Sequence, residues 1–265
     1  MLKSTYKYIE AYLDHLQAKG RYAVTLIELV NRFDVSEKAI KQNIFRLKRK
    51  NRLAHVRKGF YVIVPPQYSN RGMVPPTLFI DDLMKDLNRN YYIGALSASA
   101  LQGAGHQQPM EFQVMVNKPP LRSIKGKRLS IRFFVKSKWL SEDIFEKKTE
   151  TGYIKISSPS LTAFDLVYYS KKIGGLNRII PMLEELAESI KPADLKRTAA
   201  YQKTPNIQRL GYLFERLGNE KLASTLLRVI EKKPMVEIPI SLAHKGREGK
   251  IDSDWNVIIN TKLDF

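Results

Sequence analysis

No Asp or Glu occurs between Lys38 and Ile80, yet this interval carries Lys38, Lys41, Arg46, Lys48, Arg49, Lys50, Arg52, Arg57, Lys58 and Arg71. The charge sits on a patterned segment. Ile40, Ile44 and Leu47 recur at helical spacing after Ser36, a good N-cap, and the spacing predicts a helix to about Lys50. Lys38, Lys41, Gln42, Arg46 and Arg49 fall on its opposite side. Residues 53–57 and 60–64 then read as two strands joined at Lys58-Gly59, where glycine supplies the positive φ of a tight turn. A basic helix-plus-hairpin of this kind points to duplex DNA.

Two helices are expected before it. Over 3–19, Tyr6, Ile9, Leu13 and Leu16 share a face with Tyr12 beside them, and Gly20 ends the helix. The second opens at Thr25, with Glu28 placed to complete a capping box and Leu26, Leu29, Val30 and Phe33 as its stripe. Asp34-Val35 is a short turn. Three helices followed by a basic hairpin describe a winged helix-turn-helix. Pro65-Pro66 breaks the hairpin and 67–76 is a polar connector with Pro and Gly. The expected organisation is a DNA-binding domain at 1–65, a linker at 66–76 and a second domain at 77–265.

The second domain reads as α+β. Helices are expected at 78–87, 95–101, 161–172, 176–190, 206–217 and 220–232, and strands at 91–93, 112–116, 129–135, 153–156, 236–240 and 255–260. Ser158-Pro159 is a strong helix start, an N-cap followed by Pro at the first helical position.

The whole chain has 45 Lys+Arg against 26 Asp+Glu, a formal net charge of +19, which attracts polyanions without specifying a fold. There is no cysteine, which excludes disulfides, thiolate zinc sites and cysteine nucleophiles and suits a reducing cytoplasm. The opening MLKSTYKYIEAYLDHLQ has no apolar core of signal-peptide type, and no apolar run is long enough to span a bilayer. A soluble cytoplasmic protein with no membrane partner is expected.

On the third helix, Ser36, Lys38, Lys41 and Gln42 are the residues expected to approach bases or adjacent phosphates in a major groove. Arg46, Lys48, Arg49 and Lys50, with His55, Arg57 and Lys58 on the hairpin, suit phosphates. The competing reading is a solvated basic helix in a module that contacts only protein. Phe45 lies off the apolar stripe and is expected to pack on a flank. A second acid-free stretch, 112–141, holds Lys118, Arg122, Lys125, Lys127, Arg128, Arg132, Lys136 and Lys138. It either extends the DNA-binding face or receives an anionic partner, or it is a hairpin with a solvated basic edge.

Candidates for catalysis are poor. His15, His55, His106 and His244 are scattered, with no pair at metal-ligand spacing. Asp81, Asp82 and Asp86 fall on one predicted helix, where an acidic start complements the dipole. Asp252 and Asp254 sit beside Gly249 in what reads as a polar turn. Gly94-Ala95-Leu96-Ser97-Ala98 lacks the second glycine of a nucleophile elbow, and no phosphate-binding glycine loop occurs. No metal, cofactor or enzymatic activity is expected.

Several segments together resemble the AbiEi-type antitoxins of abortive-infection toxin–antitoxin systems: GFYVIVP (59–65), YYIGALSASALQGAGHQQPMEFQVMV (91–116), SPSLTAFDLVYY (158–169) followed by Gly174-Gly175-Leu176, QRLGYLFERLG (208–218) and WNVIIN (255–260). The resemblance runs through nearly the whole chain as an ordered series. It implies an N-terminal winged helix that binds inverted repeats upstream of its own operon and represses it. It also implies a C-terminal domain that counteracts a nucleotidyltransferase-like toxin of the AbiEii type, in a type IV system where a stable toxin complex is not required. Lys38, Lys41, Gln42, Arg46, Arg57 and Lys58 match the DNA-contact element. Two other readings remain: a regulator whose second domain senses a ligand near 97–105, and a nucleic-acid enzyme using Asp81, Asp82 and Glu111.

Overall fold

The computed structural model describes residues 8–105, 109–231, 233–243, 246 and 248–265. Among these the chain is a mixed α+β protein with ten α-helices and three sheets. It divides into two compact units. One holds the residues up to Tyr91 together with Pro119–Phe133 and Glu146–Lys155. The other holds Tyr92–Lys118, Phe134–Phe145 and Ile156–Phe265.

In the first unit α1 (Ile9–Ala18), β1 (Ala23–Thr25), α2 (Leu26–Arg32), α3 (Glu37–Arg49), β2 (Leu53–Arg57) and β3 (Phe60–Ile63) follow in order. The apolar stripes of the three helices converge. Leu13, Leu29, Ile40, Ile44 and Leu47 close on one core with Leu53 and Ile63. The helix expected over 3–19 begins at Ile9 in the structure, and Tyr6 lies outside the described residues. Thr25 caps α2 by accepting the Glu28 N–H at 3.0 Å. The reciprocal half of the capping box is replaced. The Glu28 carboxylate instead receives the Arg21 guanidinium at 2.8 and 2.6 Å and the Tyr12 hydroxyl at 2.6 Å, because a cation offers it a stronger bond than a backbone amide. Burial first, then this bond to Glu28, push the Tyr12 pKa up to about 12.

Lys58-Gly59 turns the β2–β3 hairpin with Gly59 at φ +77°, as its sequence requires. β1 is a strand that the sequence does not announce. It pairs antiparallel with β3, Ala23 opposite Val62, and the sheet order is β1-β3-β2. Three residues are too few to show alternation, and Thr25 doubles as the cap of α2. The segment 67–76 contains short 3-10 turns at its ends, and Met73 and Val74 within it are buried. α4 (Ile80–Asp86) follows.

The largest sheet has six strands: β4 (Tyr91–Ile93), β5 (Phe112–Val116), β6 (Ile124–Lys125), β7 (Ser130–Val135), β8 (Ile144–Thr149) and β9 (Gly152–Ser157), in the order β6-β7-β5-β4-β9-β8. The two strands missed in the sequence, β6 and β8, are its edges. β8 reads IFEKKT with no buried residue, so it carries no apolar alternation, and its lysines protect an open edge.

The second unit is built around α6 (Pro159–Tyr169), buried on nearly every side. Ser158 caps it, accepting the Leu161 N–H at 3.1 Å, with Pro159 at the first helical position. α5 (Ala95–Leu101), α7 (Leu176–Ala187), α8 (Pro192–Ala200), α9 (Thr204–Arg216) and α10 (Glu220–Ile230) complete the helical part. α8 has no counterpart among the expected helices because it buries only Leu195, Thr198 and Ala199. A small sheet, β10-β12-β11, joins β10 (Ile238–Pro239), β12 (Val257–Ile259) and β11 (Lys250–Asp252). The expected turn near Asp252 exists, but Asp252 itself ends a strand and its carboxylate accepts the Trp255 N–H at 3.1 Å.

Candidate functional site

Ser36 opens α3, its hydroxyl oxygen accepting the Ala39 N–H at 3.3 Å. Lys38, Lys41, Gln42, Arg46 and Arg49 are all exposed. Spaced three and four residues apart, they share one face of α3, opposite the buried Ile40, Ile44 and Leu47. Phe45 departs from the expected flank packing. It is 61% exposed and stands at the middle of the basic face, because one residue beyond Ile44 turns a side chain about 100° away from the buried stripe.

Lys48 lies at the edge of this face, and the hairpin adds His55 and Lys58, both exposed, with Arg57 half-buried. His55 sits opposite Tyr61 with ring centroids 5.6 Å apart, and the β2–β3 register shifts between His55 and Arg57. Burial, then the charge of Lys48, lower the His55 pKa below its ordinary value, so the imidazole is neutral at pH 7.

The structure sorts the basic run into paired and unpaired cations. Lys41 forms an exposed ion pair with Glu37 at 2.6 Å, one turn back on α3. Lys50 pairs with Glu10 at 3.2 Å and Arg52 pairs with Asp14, both acids of α1. Lys50, expected to face phosphates, is therefore directed to α1. The sequence could not show this because the acids lie some forty residues earlier. Among the described residues Arg46, Lys48, Arg49, Arg57 and Lys58 have no carboxylate partner.

Of the candidate carboxylates, Asp81 and Asp252 are held by structural bonds. Asp81 and Asp82 lie in the first turn of α4, whereas Asp86 is its last residue, so the three form no single cluster. Asp81 accepts the Tyr91 hydroxyl at 2.9 Å and pairs with Lys85 at 2.6 Å. Burial raises the Asp82 pKa, opposed by Arg21 and Lys85. His106 and His244 lie outside the described residues. Among the described residues no three His, Asp or Glu side chains converge as a metal site would require. The segment 97–105 begins as packed helix. Ser97 accepts the Gln113 N–H at 2.8 Å, Gln113 accepts the Leu96 N–H at 2.9 Å, and Ser99 donates to the Ala104 carbonyl at 2.6 Å. At the tight turn from β4 into α5 the residue with positive φ is Ala95, at +47°, which has no nucleophilic atom.

In the second unit, charge is buried and paired. Asp165, fully buried on α6, accepts the Tyr92 hydroxyl at 2.9 Å and an ion pair from Lys136, itself only 11% exposed. Burial raises the Asp165 pKa while Lys136 and Tyr92 hold it down. Lys136 is thus not part of a solvated basic edge. Asp143, also fully buried, gathers the Tyr201 hydroxyl at 2.6 Å, the Thr198 hydroxyl at 2.9 Å and Arg197 at 3.0 Å. The segments 208–218 and 255–260 meet. A Cβ on Gly211 would fall 2.0 Å from the Trp255 ring, Gln208 donates to the Trp255 carbonyl at 2.7 Å, and the Trp255 indole N–H donates to Glu215 at 3.1 Å. Gly211 is there because only glycine leaves room for the indole.

The fold resembles that in the crystal structure of the RV2827C protein from Mycobacterium tuberculosis, with a TM-score of 0.67 at 16% sequence identity, covering 94% of this chain and 90% of that one. At that identity the likeness is one of fold. No curated protein matches the sequence. No helix among the described residues is long and apolar enough to cross a membrane. Residues 92–216 match the family model described as the AbiEi antitoxin C-terminal domain. That segment contains α5 to α9 and both buried carboxylate networks. Residues 92–216 are thus similar to the C-terminal domain of AbiEi antitoxins, and this match supports an antitoxin role in a toxin–antitoxin system.

Proposed function

We propose that this antitoxin binds operator DNA and represses its own operon through a winged helix-turn-helix within residues 1–65, acting in the cytoplasm. The part that counteracts a nucleotidyltransferase-like toxin lies within 77–265, and 66–76 connects the two. The observation that carries the DNA-binding half is the exposed face of α3, where Lys38, Gln42, Arg46 and Arg49 surround Phe45 and the β2–β3 hairpin follows. A recognition helix enters the major groove with its N-terminal residues near base edges, and the wing reaches the backbone. Lys38, Lys41 and Gln42 then read bases, with Ser36 beside them. Arg46, Lys48, Arg49, His55, Arg57 and Lys58 hold phosphates, and Phe45 is placed to contact a thymine methyl.

Binding of the full-length protein to a duplex from upstream of its own reading frame, against a random duplex of equal length, tests this. The expected preference is at least about 10³-fold, typical of specific sites. Gln42→Ala should change sequence preference by about 1–3 kcal/mol at one base pair. Lys58→Ala should weaken both duplexes equally. No preference for the native duplex would remove operator recognition. Continued killing when the toxin is co-expressed with abundant soluble antitoxin would remove the second half.

One feature favours a ligand-responsive regulator as the second reading. The second unit has a cavity of about 360 Å³ bordered by Lys118, Lys138, Tyr168, Tyr201 and Lys203. Operator release by a small anion, with no effect of the protein on the toxin, would favour that regulator.

A further inference from the structure

The second acid-free stretch is divided by the fold. Lys136 is tied to Asp165, but Pro119–Phe133 belongs to the same compact unit as α3 and the β2–β3 hairpin. There it forms the β6–β7 hairpin, with Ile124 opposite Ile131 and β6 as the outer strand of its sheet. This segment and β2 wall a cleft of about 810 Å³. From the α3–wing side its rim carries Lys48, Arg57 and Lys58. From the other side it carries Arg122, Lys125, Lys127 and Arg128. No Asp or Glu lines it, and among the described residues none of these cations has a carboxylate partner. Arg128 lies across Gly72, close enough that a Cβ there would clash with its guanidinium, and it reaches the Asn51 side chain at 3.4 Å.

Elsewhere in this unit basic side chains are neutralised by nearby acids: Arg21 by Glu28, Lys50 by Glu10, Arg52 by Asp14 and Lys85 by Asp81. The cations of the cleft, like Arg46 and Arg49 on α3, have no such partner among the described residues. Like charges gathered around a concavity repel one another and hold counterions, and a polyanion that replaces those counterions gains their release. The charge comes from two walls and exceeds what one phosphate or diphosphate neutralises, which suits an extended phosphodiester strand better than a compact anion. The hairpin residues Arg57 and Lys58 belong both to the α3–wing surface and to the cleft, so the two are continuous.

We infer that this cleft is a second backbone-binding site, holding the sugar–phosphate strand of the same DNA duplex beyond the segment read by α3. The inference rests on the proposed operator binding for its ligand. It assigns to Arg122, Lys125 and Lys127 phosphate contacts that carry no sequence information.

The test uses the full-length protein with a duplex of about 30 base pairs from its own upstream region and a random duplex of equal length, titrated over a range of salt. In the triple variant Arg122→Ala, Lys125→Ala, Lys127→Ala, affinity for both duplexes should fall at least about tenfold. The slope of log K against log salt should become shallower by about 2 to 3, at roughly 0.9 per lost phosphate contact. The ratio between duplexes should stay unchanged. The three side chains are exposed, so thermal unfolding should not move, and Lys127→Glu alone should weaken binding more than Lys127→Ala. Loss of promoter preference in the wild-type protein would sink operator recognition, while the tenfold loss and the shallower slope on random DNA would still support the cleft. A folded triple variant with wild-type affinity and salt slope on both duplexes would overturn the cleft. So would tripolyphosphate binding that the variant loses while its duplex affinity is intact, since the cleft would then be a small-anion site.

Discussion

The α3–hairpin surface and the interior of the antitoxin domain both depend on charged side chains, and they treat them in opposite ways. On α3, Arg46, Lys48 and Arg49 are exposed and lack carboxylate partners, so they add little to stability and remain available to a polyanion. Inside the second unit, Lys136–Asp165 and Arg197–Asp143 each involve a fully buried carboxylate held by further hydroxyl donors. Removing one partner there leaves a charge or donor without solvent. Sequence position alone does not distinguish the two kinds of lysine: Lys125, Lys127 and Lys136 lie in one acid-free stretch, but only Lys136 is enclosed.

The largest expected effect comes from breaking the buried pair. Lys136→Met leaves Asp165 enclosed with only Tyr92 as donor and should destabilise by about 3–5 kcal/mol in urea denaturation. By contrast, Lys58→Ala should stay within about 0.5 kcal/mol of wild type while weakening DNA. Equal stability loss in both would erase the distinction. Next, Gly211→Ala should destabilise by about 1–3 kcal/mol through overpacking against Trp255, reversing the usual gain of Gly→Ala in a helix. Recovery in Gly211→Ala combined with Trp255→Leu would confirm the steric cause.

Smaller effects belong to the exposed face. Glu37→Gln should release Lys41 and raise affinity for DNA roughly twofold to fivefold, with stability changing by less than about 1 kcal/mol, as for surface pairs. The smallest involves His55. Its pKa is lowered in the fold, so it is neutral at pH 7.5 and gains its proton only below the ordinary value near 6.5. A lowered pKa means any stability it contributes is present above the unfolded value and is lost as pH falls through the folded one. The same proton adds a cation beside DNA. Affinity should therefore rise about threefold between pH 7.5 and 5.5, below the tenfold per unit of one fully linked proton. A flat profile in His55→Gln would assign the effect to this residue, and an unchanged rise would assign it elsewhere.

Much of the molecule was legible without coordinates where a local signal exists. Ile40, Ile44 and Leu47 mark the buried side of α3, Gly59 marks its hairpin turn, and Ser158-Pro159 marks the start of α6; each stands where expected. The ordered segments from 59 to 260 pointed to the antitoxin family through a resemblance; the family match falls on 92–216, within that series, and leaves 59–65 and 255–260 outside it. The misses share a cause. β1 and β6 are too short for periodicity, β8 is a charged edge strand, and α8 buries few residues.

By itself the sequence determined where α2, α3 and α6 start, which side of α3 is apolar, and that uncompensated positive charge is carried on a helix and hairpin. Those properties depend on neighbours within a few residues, through backbone capping, side-chain spacing and turn sterics. Only the tertiary structure decided which charges are neutralised: Lys50 by Glu10, Arg52 by Asp14 and Lys136 by Asp165. It also decided that Phe45 is exposed and that Gly211 must admit Trp255. Coulomb attraction and steric exclusion act through space, and the partners are brought within a few ångströms by a fold whose contacts join residues tens of positions apart.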